Sequence, residues 1–304
     1  MISDLVIAYL FFGGAGAGTL LISSLVGIYA ASNVSSGLSS RRGSRLINLH
    51  SPYNSLLCTA SLVGLASLSV GALCLYFDLG CPEKAVAMLA SPTFSLISIG
   101  ALSIGACIMS GFICLLLYGT HNMFSISLLR ISQICCVVSA AIVVVYIGFF
   151  LGASLSTPFW GSWFIPVLFS ASALSCGAAV TTTALGVNGI RWDSGELFLG
   201  ILIAEIALLL LELVVSLIAA FQVSSNPSLV YESVWRCWPL YIGAGIVAPI
   251  LADLYVLLTR ERNRFKSSLV ELISALLVVS GGAALRAIIA LSGVPEPLIA
   301  LMGT

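Results

Sequence analysis

Charge is what this 304-residue chain has least of. Lys, Arg, Asp and Glu together make up 8% of it, against 60% hydrophobic residues and a mean hydropathy of +1.14. A soluble domain carries about a quarter of its residues as charge, so that class is excluded. Histidine is nearly absent: His50 and His121 are the two present. Both fall at ends of apolar runs, whereas a two-haem cytochrome needs facing pairs inside its helices, so no haem is expected. The nine cysteines include no CxxC pair, which removes the familiar patterns for an iron–sulfur cluster or zinc. Most read as small hydrophobes. Cys81 and Cys237 share one side between spans and could pair in an oxidising compartment. Polar–apolar alternation is missing too, which excludes a membrane barrel. The start Met-Ile-Ser-Asp lacks a basic stretch, so the first apolar run is expected to be a retained helix rather than a cleaved signal.

What is there is eight long apolar runs, at 4–31, 52–77, 92–119, 128–155, 162–185, 196–222, 239–259 and 269–292. Each is close to the ~20 residues that a helix needs to cross a bilayer core. Backbone groups in lipid must be satisfied internally, so the expected fold is all-α, a polytopic bundle of eight transmembrane helices embedded in the lipid bilayer. Arg41, Arg42 and Arg45, Arg130, Arg191, and Arg260, Arg262, Arg264 and Lys266 fall in or beside alternate connections, while the others carry Lys84 and Arg236. Basic loops stay in the cytoplasm, which predicts both termini outside. No nucleic-acid partner is expected.

Small residues organise the chain. Phe11-Phe12-Gly13-Gly14-Ala15-Gly16-Ala17-Gly18 puts Gly14 and Gly18 on one helix face, where backbones approach closely in lipid. Gly14-x-Gly16 has no strand before it and so fails as a nucleotide loop. The fifth run repeats this character from Ser170 to Ala179. The likeness suggests two four-helix halves, 1–155 and 156–304. Pro52, Pro92, Pro166 and Pro239 lie near span starts, where a missing N–H costs little. Pro249 lies inside the seventh run and is expected to kink it.

The candidates for chemistry are the ionisable residues inside the spans, which are expensive there and usually face the protein interior. Glu205 and Glu212 are seven apart, hence on one helix face. Asp253 is in the seventh run and Arg286 in the eighth. At ~1.5 Å per residue, Glu205 and Asp253 lie roughly 13 and 9 Å from the cytoplasmic side, and Glu212 and Arg286 roughly 24–26 Å. That gives two polar layers, with Glu212–Arg286 as the expected pair. They serve either as structural ion pairs or as a proton route. On the outer side the first half offers Asp4, Tyr9, Asp78, Glu83 and Lys84, with Asp78 ending the second span at the apolar boundary.

The segment Asp78-Leu79-Gly80-Cys81-Pro82-Glu83-Lys84 resembles the D-L-G-x-P-E-R segment of the NrfD/PsrC family, the polysulfide-reductase-type membrane subunits. Ser91-Pro92-Thr93-Phe94-Ser95, the glycine-rich first helix, Thr157-Pro158-Phe159-Trp160 with the stretch from Pro166 to Gly177, and Gly281-Gly282-x-x-Leu285-Arg286 are similar to that family in the same order. The resemblance implies an anchor in the bacterial cytoplasmic membrane. Its partners would be a [4Fe–4S] ferredoxin-like subunit and a molybdopterin catalytic subunit. It implies menaquinone or another quinone, bound among the first four helices, with no haem or iron–sulfur cluster in this chain. Asp78 matches the position where relatives carry Asp or His. Where some relatives carry Asn and His in the first helix, this chain has Asp4 and Ala8, which removes one expected hydrogen-bond donor. Tyr9 is the adjacent substitute, and Tyr146 near the end of the fourth span is a further candidate. The rival class is a secondary transporter, which intramembrane acids and a proline break would also suit.

Overall fold

The computed structural model describes residues 3–38, 52–78, 96–119, 126–153, 159–187, 195–225, 235–259 and 264–292. They form eight spans: α1 (Asp4–Leu38), α2 (Pro52–Asp78), α3 (Leu96–Gly119), α4 (Ile126–Ala153), α5 (Phe164–Val187), α6 (Gly195–Ser225), α7 and α8 (Arg264–Ser292). Helix α7 is composite. A short α turn, Trp238–Leu240, runs into a π-helical stretch, Tyr241–Val247, and then into α-helix Ala248–Thr259. All eight are long and apolar enough to cross a membrane, so the chain is a multi-pass helical membrane protein. The helices α1, α6 and α8 outrun their apolar runs by three to seven residues at one end, because backbone hydrogen bonding continues where the side chains turn polar.

A π stretch precedes Pro249, the residue expected to kink this span. Proline has no N–H and crowds the carbonyl four residues before it. Just ahead of it the helix widens, and the Ala248 N–H bonds to the Gly243 carbonyl, five residues back. Pro52, Pro166 and Pro239 all sit in the first turn of their helices, as expected. Pro92, His50, His121, Cys81, Glu83, Lys84, Thr157, Pro158 and the basic residues Arg41, Arg42, Arg45, Arg191, Arg260 and Arg262 lie outside the described residues.

Helix α1 is the hub, packed against α2, α4, α5 and α8, while α5 also meets α6 and α8. The α1–α5 crossing is the tightest approach. A Cβ on Gly18 would overlap the Ala173 carbonyl, and one on Gly177 would lie 2.6 Å from the Thr19 nitrogen. Both obstacles are backbone, so neither can swing away. The apolar surface left outside is large, with Phe77, Phe221, Leu240 and Leu258 each at least 67% exposed, as a lipid-facing surface requires.

Candidate functional site

The candidates fall into three clusters: the tyrosines below Asp4 and Asp78, the region of Glu212 and Arg286, and Glu205 with Asp253. The first lies at the end of the bundle that carries the start of α1 and the end of α2. Asp4 and Asp78 are exposed there, and Ser3 Oγ donates to the Asp78 carboxylate. One to two turns below, Tyr9 of α1 and Tyr146 of α4 are buried. Phe150 holds both rings edge-on, at centroid distances of 5.8 and 5.9 Å. Gly100 of α3 leaves room for the Tyr146 ring. The Tyr9 hydroxyl lies within electrostatic reach of Tyr146 yet has no hydrogen-bond partner. The two hydroxyls face each other without a bond of full geometry from Tyr9, which leaves room for a better-aligned acceptor. Beyond Asp78, the rest of the Asp78–Lys84 segment lies outside the described residues.

The other two line the interior of α5–α8. Glu205, Glu212, Asp253 and Arg286 are all at most 3% exposed. Glu205 accepts from Thr182 at 3.0 Å. Asp253 accepts from Ser274 at 2.7 Å, and its Oδ2 is buried without a partner. Glu271 of α8 is also buried and packs against Gly186 at the end of α5. Asp253 and Glu271 both lie within electrostatic reach of Glu205. Among the described residues no set of His, Cys, Asp and Glu is arranged to hold a metal ion.

The expected direct Glu212–Arg286 pair is not formed. Glu212 accepts from the Tyr241 hydroxyl at 2.6 Å and from Ser175 at 3.1 Å. Arg286 donates through Nε to the Leu10 carbonyl at 2.9 Å, and through Nη1 to the Gly282 carbonyl at 2.8 Å and Ser172 Oγ at 3.2 Å. The reason is geometric. Arg286 lies against α1, with its guanidinium 5.9 Å from the Phe11 ring and 5.5 Å from the Phe169 ring. Two hydroxyl-bearing residues of α5 fill the gap to Glu212. Gly14 and Gly282 make the space: a Cβ there would lie 2.8 Å from Nη2 and 3.2 Å from Nη1, respectively.

These contacts bring sequence motifs that lie far apart into one place. The glycine-rich stretch of α1, the Ser172–Gly177 stretch of α5 and Gly281-Gly282-x-x-Leu285-Arg286 of α8 meet around a single guanidinium. Trp160 adds a further tie, donating to the Ile289 carbonyl at 3.0 Å. The family described as polysulphide reductase, NrfD, matches residues 3–295, nearly the whole chain. This chain belongs to the NrfD family. It is therefore a membrane anchor subunit of the polysulphide-reductase type. No curated protein matches it in sequence.

For an NrfD-family chain, the residues that sequence reasoning missed are instructive. Glu271, Thr182, Ser172, Ser175, Tyr241 and Ser274 all belong to the buried polar groups. Glu271 follows a basic connection and reads as part of a solvated helix start. The hydroxyl residues look like small packing residues until a carboxylate is found opposite. Two apolar grooves, about 410 and 300 Å³, open on either side of α5 toward its neighbours. None of the eight candidate residues lines either one.

Proposed function

We propose that this chain is the quinone-interacting subunit of a molybdopterin-type oxidoreductase complex in the bacterial cytoplasmic membrane. It passes electrons between menaquinone, or another quinone, and a partner [4Fe–4S] subunit. Both termini face outside, so the docking face is the end that carries Asp4 and Asp78. The first half, 1–155, holds the quinone, and the second, 156–304, holds the polar layers.

The observation that carries this reading is the unpaired, buried hydroxyl of Tyr9 beside Tyr146, one to two turns beneath Asp78 and Asp4. The residues fit a quinone head group: a ring with two carbonyls needs a hydroxyl donor within an aromatic wall, and Tyr9, Tyr146 and Phe150 supply both. When bound, the quinone supplies two-electron, two-proton chemistry. Tyr9 and Tyr146 orient it through their hydroxyls, and the aromatic wall with Leu10 and Ile147 around it excludes water. Asp78, exposed at the rim and already accepting from Ser3, holds or releases a proton at the surface. Glu205, Asp253 and Glu271 form a second proton-holding group toward the opposite face.

A transporter reading is less well supported. Among the described residues only α7 is interrupted, and α3, its counterpart in the first half, is an unbroken α-helix. Transport by alternating access draws on broken spans at matching positions.

The deciding experiment is quinol oxidation by the purified complex carrying Asp78→Asn or Tyr146→Phe. Loss of quinol turnover, with the partner subunits still attached, is expected. Full turnover in both variants refutes the site.

A further inference from the structure

The backbone beside Tyr9 and the buried Glu212 are linked through hydrogen-bonded residues on five helices. The series begins on α1 at the carbonyl of Leu10, the residue after Tyr9, which accepts from Arg286 Nε of α8. Arg286 Nη1 donates to Ser172 Oγ on α5. Three residues along α5, the single Ser175 hydroxyl proton is shared between the Ser172 carbonyl and Glu212 on α6, each at 3.1 Å. Glu212 then accepts from Tyr241, the first residue of the π stretch in α7.

Both ends of this series have somewhere to go. At one end, Arg286 is fully buried and its Nη2 has no partner. An orphaned buried donor on a cation is costly, and a network that is only partly satisfied is open to a second arrangement. At the other end, π turns inside α-helices recur at functional sites. Moving this one along the helix by a residue would rotate Tyr241 by about 100° and take its hydroxyl off Glu212. The stretch is packed on one side only: a Cβ at Gly243 would meet nothing within 4 Å, whereas one at Gly245 would lie 2.8 Å from the Gly281 backbone of α8.

We infer that Arg286 is a positioning residue which couples occupancy of the tyrosine site to the π turn of α7, through Leu10, Ser172, Ser175 and Glu212. A ligand that accepts from Tyr9 shifts the first turns of α1, the Leu10 carbonyl moves relative to the guanidinium, and the Tyr241–Glu212 bond is the far-end readout. Coupling of this kind needs an element with two states that both sites bias, and the π turn is that element. The inference rests on the quinone reading above and assigns Arg286 no contact with the quinone.

The test uses the full chain in lipid nanodiscs and a short-tailed naphthoquinone. Quenching of tryptophan fluorescence reports binding. Infrared difference spectra report the carboxyl band of Glu212, assigned by its loss in Glu212→Gln. In the unaltered chain, binding is expected to shift that band. Arg286→Lys and Ser172→Ala are expected to bind the naphthoquinone while the shift shrinks by at least about fivefold, the low end of typical coupling. A full-sized shift in Ser172→Ala overturns the inference, and that variant decides alone if Arg286→Lys does not fold. A purely structural Arg286 would leave the shift intact in every folded variant. No quenching in the unaltered chain refutes the quinone reading itself, and the inference with it.

Discussion

Arg286 donates to the Leu10 carbonyl at 2.9 Å, joining residues 276 positions apart. This contact gives the first and last helices of the bundle a common polar centre. In lipid, helices gain nothing from burying apolar surface against each other, so packing and polar contacts decide which helices associate. A fully buried guanidinium bonded to α1, α5 and its own helix fixes three of them at once.

Gly14 is the position that admits this guanidinium. In Gly14→Ala the new Cβ would lie 2.8 Å from Nη2, and three hydrogen bonds keep the group from retreating. Overpacking of this kind costs about 1–3 kcal/mol. Gly105→Ala, where a Cβ would meet nothing within 4 Å, serves as the control. Thermal unfolding in detergent is expected to shift downward for Gly14→Ala and to stay in place for Gly105→Ala.

The α1–α5 crossing tolerates less. Gly18 and Gly177 each face backbone of the other helix, so no side-chain rearrangement relieves an added methyl. Gly177→Ala must push the helices apart and break the close contact on which α1 depends. Poor membrane insertion or aggregation on solubilisation is expected, with a larger loss than for Gly14→Ala, and size-exclusion chromatography of the two variants side by side checks the order.

How much of this was legible beforehand depended on whether a residue's role is set by its own helix or by its neighbour's. The eight spans were legible because apolar length alone decides them. Glu205 and Glu212 were placed on one buried face because a spacing of seven returns to the same side of a helix. The partner of Arg286 was not legible. Equal depth made Glu212 the natural guess, but depth says nothing about azimuth, and Arg286 faces α1 while Ser172 and Ser175 stand between it and the acid. Pro249 announced a disturbance in α7 without saying that it would take the form of a π turn.

Tyr241 tests the far end of the polar series. Tyr241→Phe keeps the ring, which packs 5.2 Å from Trp238, and removes the donor to Glu212 at 2.6 Å. Removing a donor from a buried carboxylate leaves that group less satisfied, at about 1–3 kcal/mol. A drop in thermal stability is expected in Tyr241→Phe, together with loss of the Glu212 infrared shift on naphthoquinone binding. Retention of both would show that the bond carries neither stability nor signal.

Glu271 tests whether the acids form a route or a scaffold. It lies seven residues into α8, Asp253 six residues before the end of α7, and Glu205 ten residues into α6. If the three carry protons toward Glu212, neutralising one of them should stop flow without disturbing the packing. Glu271→Gln and Glu205→Gln are isosteric, and Thr182 can still donate to the amide oxygen at position 205, since the present bond is 3.0 Å. In the reconstituted complex, both variants are expected to keep quinol turnover while proton uptake per quinol falls. Unchanged proton stoichiometry in both rejects the route. Lower stability at unchanged stoichiometry would assign the acids to holding the bundle together, the role that desolvated polar groups often fill in membranes.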